Sequence, residues 1–241
     1  TRVAAVIPYY RNFLSHFPSV ADLAAANLDD VYKCWEGLGY YSRARNLRLG
    51  AEYCVSHFDG ELPRTYADLL LVPGIGPYSA GAILSLAYGV AEPAVDGNVI
   101  RVFSRLYGLF LFPDETLARR RIADLVRESI PTEDPGGFNE AIMDLGATVC
   151  LPRSPSCGTC ELALACDAFA MDIQEVIPLK KKKKENPVLP FTILPVRAGN
   201  RYLIAKRSST GLLADLVGFL SSPGLLTEEE AAEFVLTRLG I

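Results

Sequence analysis

Leu71-Val72-Pro73-Gly74-Ile75-Gly76-Pro77-Tyr78-Ser79-Ala80 is the stretch whose reading organises the chain. Asp96 follows it, eighteen residues after Tyr78, in Val95-Asp96-Gly97-Asn98-Val99. Ahead of it, Thr65-Tyr66-Ala67-Asp68 has an N-cap residue with an acid three positions on, which starts a short helix. Pro73 and Gly74 stop that helix. Gly74 and Gly76 allow φ > 0 and leave no Cβ in the way of an approaching surface. A second helix is expected next, with Ala80, Ile83, Leu84 and Ala87 at i, i+3, i+4 and i+7. The pattern is helix, Gly-x-Gly hairpin, helix. On its own it fits a tight turn between packed helices. The free N–H groups that open the second helix also make a seat for an anion such as a phosphate.

Asp96 lies between Glu92-Pro93, which ends the second helix, and a further helix with Val99, Val102, Phe103 and Leu106 on one face. An Asp at a helix N-terminus is ordinarily a cap. Just past a phosphate-gripping hairpin it also faces any sugar held there. The helix dipole favours negative charge at that point, and an anion is what an oxocarbenium-like sugar needs for stabilisation.

A second glycine-bent segment is Gly37-Leu38-Gly39-Tyr40-Tyr41-Ser42-Arg43-Ala44-Arg45-Asn46. Two adjacent tyrosines cannot both face inward along a helix, so one is expected to be exposed. Arg43, Arg45 and Arg48 follow within two turns. An exposed ring beside arginines suits a wedge entering a base stack while the arginines meet phosphates. A capped helix with a solvated basic face fits the composition equally well.

Bulk properties bound the rest. The chain has 241 residues, 50% hydrophobic and 22% charged, as expected of a globular protein of one or two domains. The net charge of −4 and pI of about 5.3 argue against histone-like coating of nucleic acid but leave room for a local basic face. No apolar run approaches the roughly 20 residues of a membrane helix, and no signal peptide is visible. The expectation is a cytoplasmic protein with no membrane partner.

Six cysteines are present. Cys34 and Cys54 stand alone on helical faces and read as core residues. Cys150, Cys157, Cys160 and Cys166 fall within seventeen residues as C-x6-C-x2-C-x5-C, which offers four thiolates to one centre. Zinc accepts four thiolates, but its sites usually come as two C-x2-C pairs; iron–sulfur clusters are also held by four cysteines. Arg153 in this loop adds a positive charge.

Taken in order, the sequence reads as helical up to about residue 178. Val3, Val6, Ile7 and Tyr10 share a face, with Pro8 expected to kink or locally break the helix. Ser19-Val20-Ala21-Asp22 starts another helix, and Leu28, Val31, Tyr32 and Trp35 mark a third. A long helix is expected over about 40–58 with Ala44, Leu47, Ala51, Cys54 and Phe58 inward, and two more over about 117–130 and 138–149. No strand signal appears before residue 186. The Lys180–Lys184 run reads as a solvated linker over 179–187, one that would also gain from counterion release on DNA. Beyond it, 189–196 and 202–205 read as two strands joined by Ala198-Gly199-Asn200, and Thr227 with Glu230 starts a last helix through Leu239. The expected fold is therefore mainly α, a two-lobed bundle over 1–178 followed by a partial α+β domain over 188–241.

The hairpin together with the Asp-Gly-Asn segment resembles the helix-hairpin-helix DNA glycosylase superfamily. Within it, the sequence is most similar to the MutY-type adenine DNA glycosylases, over nearly the whole chain. The resemblance implies a two-lobed helix-hairpin-helix bundle that removes adenine from double-stranded DNA at A:8-oxoguanine or A:G mispairs, as a monomer. The source it implies is bacterial, with the protein at the nucleoid when bound. Asp96 then matches the carboxylate that stabilises the sugar cation, and Asn98 the neighbouring amide. Tyr78 stands where endonuclease III-type lyases carry a catalytic Lys. A Tyr cannot form a Schiff base, which favours a monofunctional enzyme. Gly74 and Gly76 match the backbone-gripping hairpin. Tyr40 matches the inserted tyrosine of Gly-Leu-Gly-Tyr-Tyr, with Arg43 and Arg45 beside it for DNA, and Glu140 matches a residue at the adenine edge. The four cysteines match the loop that holds a 4Fe-4S cluster, and Ser209–Leu216 matches part of the family's Nudix-like lesion-reading domain. Val217-Gly218-Phe219-Leu220 departs from the Trp-Glu-Phe-Pro that usually follows.

The family's general acid is a Glu a few residues ahead of the segment that here begins Thr1-Arg2-Val3. The sequence thus reads as a fragment, expected to bind DNA while inactive or nearly so by itself. Two other readings stay open: a non-catalytic iron–sulfur DNA-binding module, and an endonuclease III-like pyrimidine or mismatch glycosylase.

Overall fold

The computed structural model describes residues 3–181, 187–211 and 213–240. The chain divides into two compact units, Thr1–Lys182 and Lys183–Ile241. The first holds α1 (Val3–His16), α2 (Val20–Ala25), α3 (Leu28–Trp35), α4 (Tyr41–His57), α5 (Tyr66–Leu69), α6 (Pro77–Tyr88), α7 (Gly97–Leu106), α8 (Thr116–Ser129), α9 (Pro135–Thr148) and α10 (Asp167–Ala170). Among its described residues there is no strand. No helix of the described residues is long and apolar enough to cross a membrane.

Local chemistry sets where these helices begin. Ser19 caps α2 and shares a capping box with Asp22. Asn27 caps α3, Thr65 caps α5 through the Asp68 N–H, and Asp134 accepts the Gly137 N–H at 2.9 Å ahead of α9. Three expectations are corrected. The first helix is not broken at Pro8 but is continuous through it, at the loss of one backbone hydrogen bond. Leu47 is 44% exposed, and Ala87 is exposed at the end of α6. The stripe that α6 buries is Ala80, Gly81, Leu84 and Ser85, so periodicity located the face and misjudged its edge.

The larger apolar cluster is built on α7, where Val99, Ile100, Val102 and Phe103 pack with Ile122, Leu125 and Val126 of α8. A smaller one joins Leu69 to Ala80 and Leu84 across the hairpin. Between α6 and α7 the chain runs as an irregular segment over 89–96, and a buried amide fixes it. Asn139 of α9 is 1% exposed. Its Oδ1 accepts from the Ala94 N–H at 3.2 Å, while its Nδ2 donates to Ser85 Oγ at 2.9 Å and to the Glu92 carbonyl at 3.0 Å. The segment leading into Asp96 is thereby tied to two helices, and no polar atom of the amide is left unpaired. Arg127 of α8 adds an ion pair to Glu92 at 3.0 Å, half-exposed and worth little by itself.

The start of the expected linker is held on the first unit. The Leu179 N–H donates to the Leu111 carbonyl at 3.0 Å, and Lys181 pairs with Asp114 at 3.0 Å and Glu115 at 3.4 Å. Lys182–Lys184 of the lysine run lie outside the described residues.

In the second unit, β1 (Phe191–Leu194) pairs antiparallel with β6 (Leu220–Pro223), so that Thr192 faces Ser222. The hairpin expected from sequence is shorter and separate. It is β2 (Arg197–Ala198) with β3 (Arg201–Tyr202) around Gly199-Asn200, because Pro195 has no N–H and ends the first strand. A third pair joins β4 (Ala205–Lys206) to β5 (Val217–Gly218). α11 (Glu228–Leu239) opens on the Thr227–Glu230 capping box.

Replacing Asn139 by Ala takes the partner from the Ala94 N–H and from the Glu92 carbonyl, while the Ser85 hydroxyl keeps its bond to the Ala82 carbonyl. Urea unfolding should show a loss of about 2–4 kcal/mol, against about 1 kcal/mol or less for Ser85→Ala.

Candidate active site

Asp96 is the N-cap of α7. Its Oδ1 accepts the Val99 N–H at 2.8 Å and its Oδ2 accepts from Asn98 Nδ2 at 3.0 Å. The carboxylate is half-buried at the positive end of the helix whose other face carries the main core. Tyr78, in the first turn of α6, is 42% exposed, and its hydroxyl lies 3.6 Å from Met143 Sδ. Burial pushes the Tyr78 phenol up, and the nearby Asp96 carboxylate pushes it the same way. A neutral phenol therefore stands beside the carboxylate, able to donate a hydrogen bond and not poised to act as a base.

Asn98 is itself held. Arg101 Nη2 donates to Asn98 Oδ1 at 2.8 Å and to the Gly146 carbonyl at 2.6 Å, and Arg101 Nε donates to the Cys150 carbonyl at 2.7 Å. Gly146 allows α9 to come this close, since a Cβ there would lie 2.6 Å from that of Asn98. Burial, reinforced by Arg105, lowers the pKa of Arg101, while Cys150 and Asp96 oppose that shift. One turn on, Arg105 is 3% exposed and donates to the Leu151 and Ile177 carbonyls at 2.7 and 3.0 Å, with Nη1 at 3.2 Å from Cys150 Sγ. Cys166 Sγ contacts the Arg105 carbonyl at 3.4 Å. Sequence reasoning missed both arginines and Asn139. The available signal was Asn98, Arg101 and Arg105 at i, i+3 and i+7, a polar row on α7 opposite its apolar one.

The cysteine loop runs over two short 3₁₀ turns, Cys157–Thr159 and Ala163–Ala165, and all four thiols are half-buried. Burial raises the Cys157 thiol, and Cys150, Cys166 and Cys160 push it further, so the four sulfurs share one electrostatic neighbourhood. Among the described residues, no three Cys, His, Asp or Glu side chains stand together so as to hold a metal ion. The four thiols of the loop are donors of the kind that metal–sulfur centres use, and Arg105 Nη1 stands beside one of them, Cys150 Sγ.

At the hairpin, Gly74 has φ +88°, and a Cβ there would lie 2.9 Å from that of Asn46. Gly76 differs from expectation: it is extended at φ −104° and acts as the N-cap of α6. A Cβ there would meet nothing within 4 Å, so the surface beside it is open.

Tyr40 is 82% exposed and holds φ 50°, ψ 56°, a left-handed conformation that costs a non-glycine residue about 1–2 kcal/mol. Its neighbour Tyr41 packs edge-on against Tyr32. The Arg43 guanidinium lies over both rings beside it, 5.4 Å from the Trp35 centroid and 5.6 Å from that of Tyr40. Arg48, expected to face phosphate, is engaged by the Ala26 carbonyl at 2.6 Å and Glu52 at 2.8 Å. Arg45 is half-buried on α4, and Glu140 is exposed on α9.

With this geometry in hand, a family profile described as HhH-GPD superfamily base excision DNA repair protein matches residues 1–128. The chain belongs to this superfamily. Among curated relatives of this HhH-GPD chain, an adenine DNA glycosylase of Buchnera aphidicola subsp. Schizaphis graminum is 35% identical over 91% of the chain and 63% of the relative. The adenine DNA glycosylase of Homo sapiens is 44% identical over 70% of the chain and 31% of the relative. The chain thus spans between about a third and two thirds of the length of these relatives. Among solved structures, a thermostable thymine-DNA glycosylase superposes with a TM-score of 0.65 at 25% identity, covering 71% of this chain and 79% of that one. A trapped endonuclease III–DNA covalent intermediate gives 0.61 at 25% identity, covering 71% and 79%.

Tyr40→Gly tests the strain at this position: glycine accepts φ > 0 without strain, so the urea midpoint should stay or rise slightly.

Proposed function

We propose that the chain is the core of an adenine DNA glycosylase of base excision repair, hydrolysing the N-glycosidic bond of adenine paired with 8-oxoguanine or guanine in duplex DNA. The observation that carries this is the Asp96 carboxylate, held by two donors at the head of α7 with a neutral Tyr78 phenol beside it. A sugar brought there by the hairpin meets fixed negative charge as its C1′ turns cationic. Asn98 orients that carboxylate, and Arg101 orients Asn98. With tyrosine in place of an amine nucleophile, the reaction stops at base release.

Gly74 and Gly76 bring backbone N–H groups to the phosphodiester, and Tyr40 enters the base stack beside the oxidised guanine. Arg43 steadies Tyr40, Arg45 meets phosphate, and Glu140 contacts the adenine edge. Cys150, Cys157, Cys160 and Cys166 hold a 4Fe-4S cluster, whose iron–thiolate bonds cross-link the loop when it is bound. Arg101 and Arg105 fasten that loop to α7 whatever fills it. Residues 188–241 belong to a Nudix-like domain that reads the opposite strand, and the protein works as a monomer in the bacterial cytoplasm, at the nucleoid.

Single-turnover assays on a duplex with adenine opposite 8-oxoguanine test this. The full-length protein should release adenine, and Asp96→Asn should slow release by at least about a hundredfold. Release at the same rate by Asp96→Asn would refute the reading, and release of thymine from a T:G duplex would move it to thymine-DNA glycosylase.

The cluster has its own test. Anaerobically purified protein should show broad visible absorption and about four iron atoms per chain, and Cys157→Ser or Cys160→Ser should lose both. Bound zinc in their place would overturn the cluster.

A further inference from the structure

Beside the hairpin lies a groove of about 480 Å³ between the first turn of α6 and one face of α8, with Val95 also in its lining. Tyr78 and Ser79 form one wall, and Arg119, Arg120 and Arg127 stand along the other. All three arginines are exposed. They are not electrostatically equal. Arg127 is spent on Glu92 at 3.0 Å and Asp124 at 3.2 Å. Arg119 and Arg120 make no ion pair or hydrogen bond among the described residues. Asp114, the carboxylate whose charge Arg119 feels, is already bound by Lys181 at 3.0 Å.

Two unneutralised guanidinium groups on a protein of net charge −4 are a local exception to its acidity. They face the open end of a twelve-residue helix with no side-chain cap, where the first N–H groups have no helix partner. A planar guanidinium is matched to phosphate oxygens.

We infer that this groove takes the phosphodiester backbone of the DNA strand next to the extruded nucleotide, with Arg119 and Arg120 each meeting one phosphate. The hairpin then grips the strand at the site, and α8 holds it where it leaves. This rests on the DNA reading given above, and adds a second contact strip to it. The glutamate in the groove serves to fix Arg127 and the segment before Asp96, leaving the strip's positive charge to the two arginines nearer the N-terminus of α8.

The test is duplex binding across a salt series of about 50 to 200 mM KCl, read by fluorescence anisotropy on a short A:G duplex and its matched counterpart. For R119A/R120A, Kd should rise roughly tenfold on both duplexes, and the slope of log Kd against log salt should shrink by about 1.8, two phosphates' worth. R121A removes the same kind of charge from the next residue on α8, which is exposed but does not line the groove. It should shift Kd and slope little. If R119A/R120A behaves as wild type, or R121A loses as much per charge, the strip is refuted while the glycosylase reading stands. Wild-type protein without salt-dependent duplex binding would overturn that reading and the strip with it.

Discussion

One hydrogen bond governs the site: the Val99 N–H to Asp96 Oδ1, at 2.8 Å. It makes the carboxylate part of the helix it caps, so the position of the charge is the position of α7. α7 in turn is fixed by the main apolar cluster on one face and by Arg101 and Arg105 on the other. A free side chain at this point would have to be ordered each time a sugar arrived. A cap is ordered by folding, and the free energy that holds it is that of the core.

The same economy explains the buried polar groups. Asn139 and Arg105 are costly in an apolar interior unless every donor and acceptor is met. Each meets main-chain carbonyls or N–H groups from segments that no helix or sheet would otherwise hold: 92–94 for Asn139, 151 and 177 for Arg105. Irregular backbone around the site is thus given ladder-like partners by single side chains. Specificity of position, more than added stability, is what such groups supply.

How much of this was legible in the sequence follows from the range of each interaction. Caps and hairpin were readable because they act within three or four residues: Ser19 with Asp22, Thr65 with Asp68, Asp96 with Val99, Thr227 with Glu230. The exposure of one of the two adjacent tyrosines followed from helix geometry in the same way. Long-range partners left no such trace. Nothing in the Phe191–Leu194 stretch names Leu220–Pro223 as its neighbour, and the sequence suggested a nearer hairpin instead. The hold of Arg48 on Ala26 and of Arg101 on Cys150 likewise joins residues too far apart for any period to show. Charge at a helix surface reads the same whether it meets solvent, phosphate or a carbonyl.

The stacking of Arg43 between Trp35 and Tyr40 has a practical side. Trp35 is the chain's one tryptophan, and its indole N–H is bonded to the Gly39 carbonyl at 3.0 Å. The molecule therefore carries a native fluorophore at the root of its most exposed ring. A displacement of Tyr40 or Arg43 changes the surroundings of that single indole, so movement of this corner can be followed on unlabelled protein.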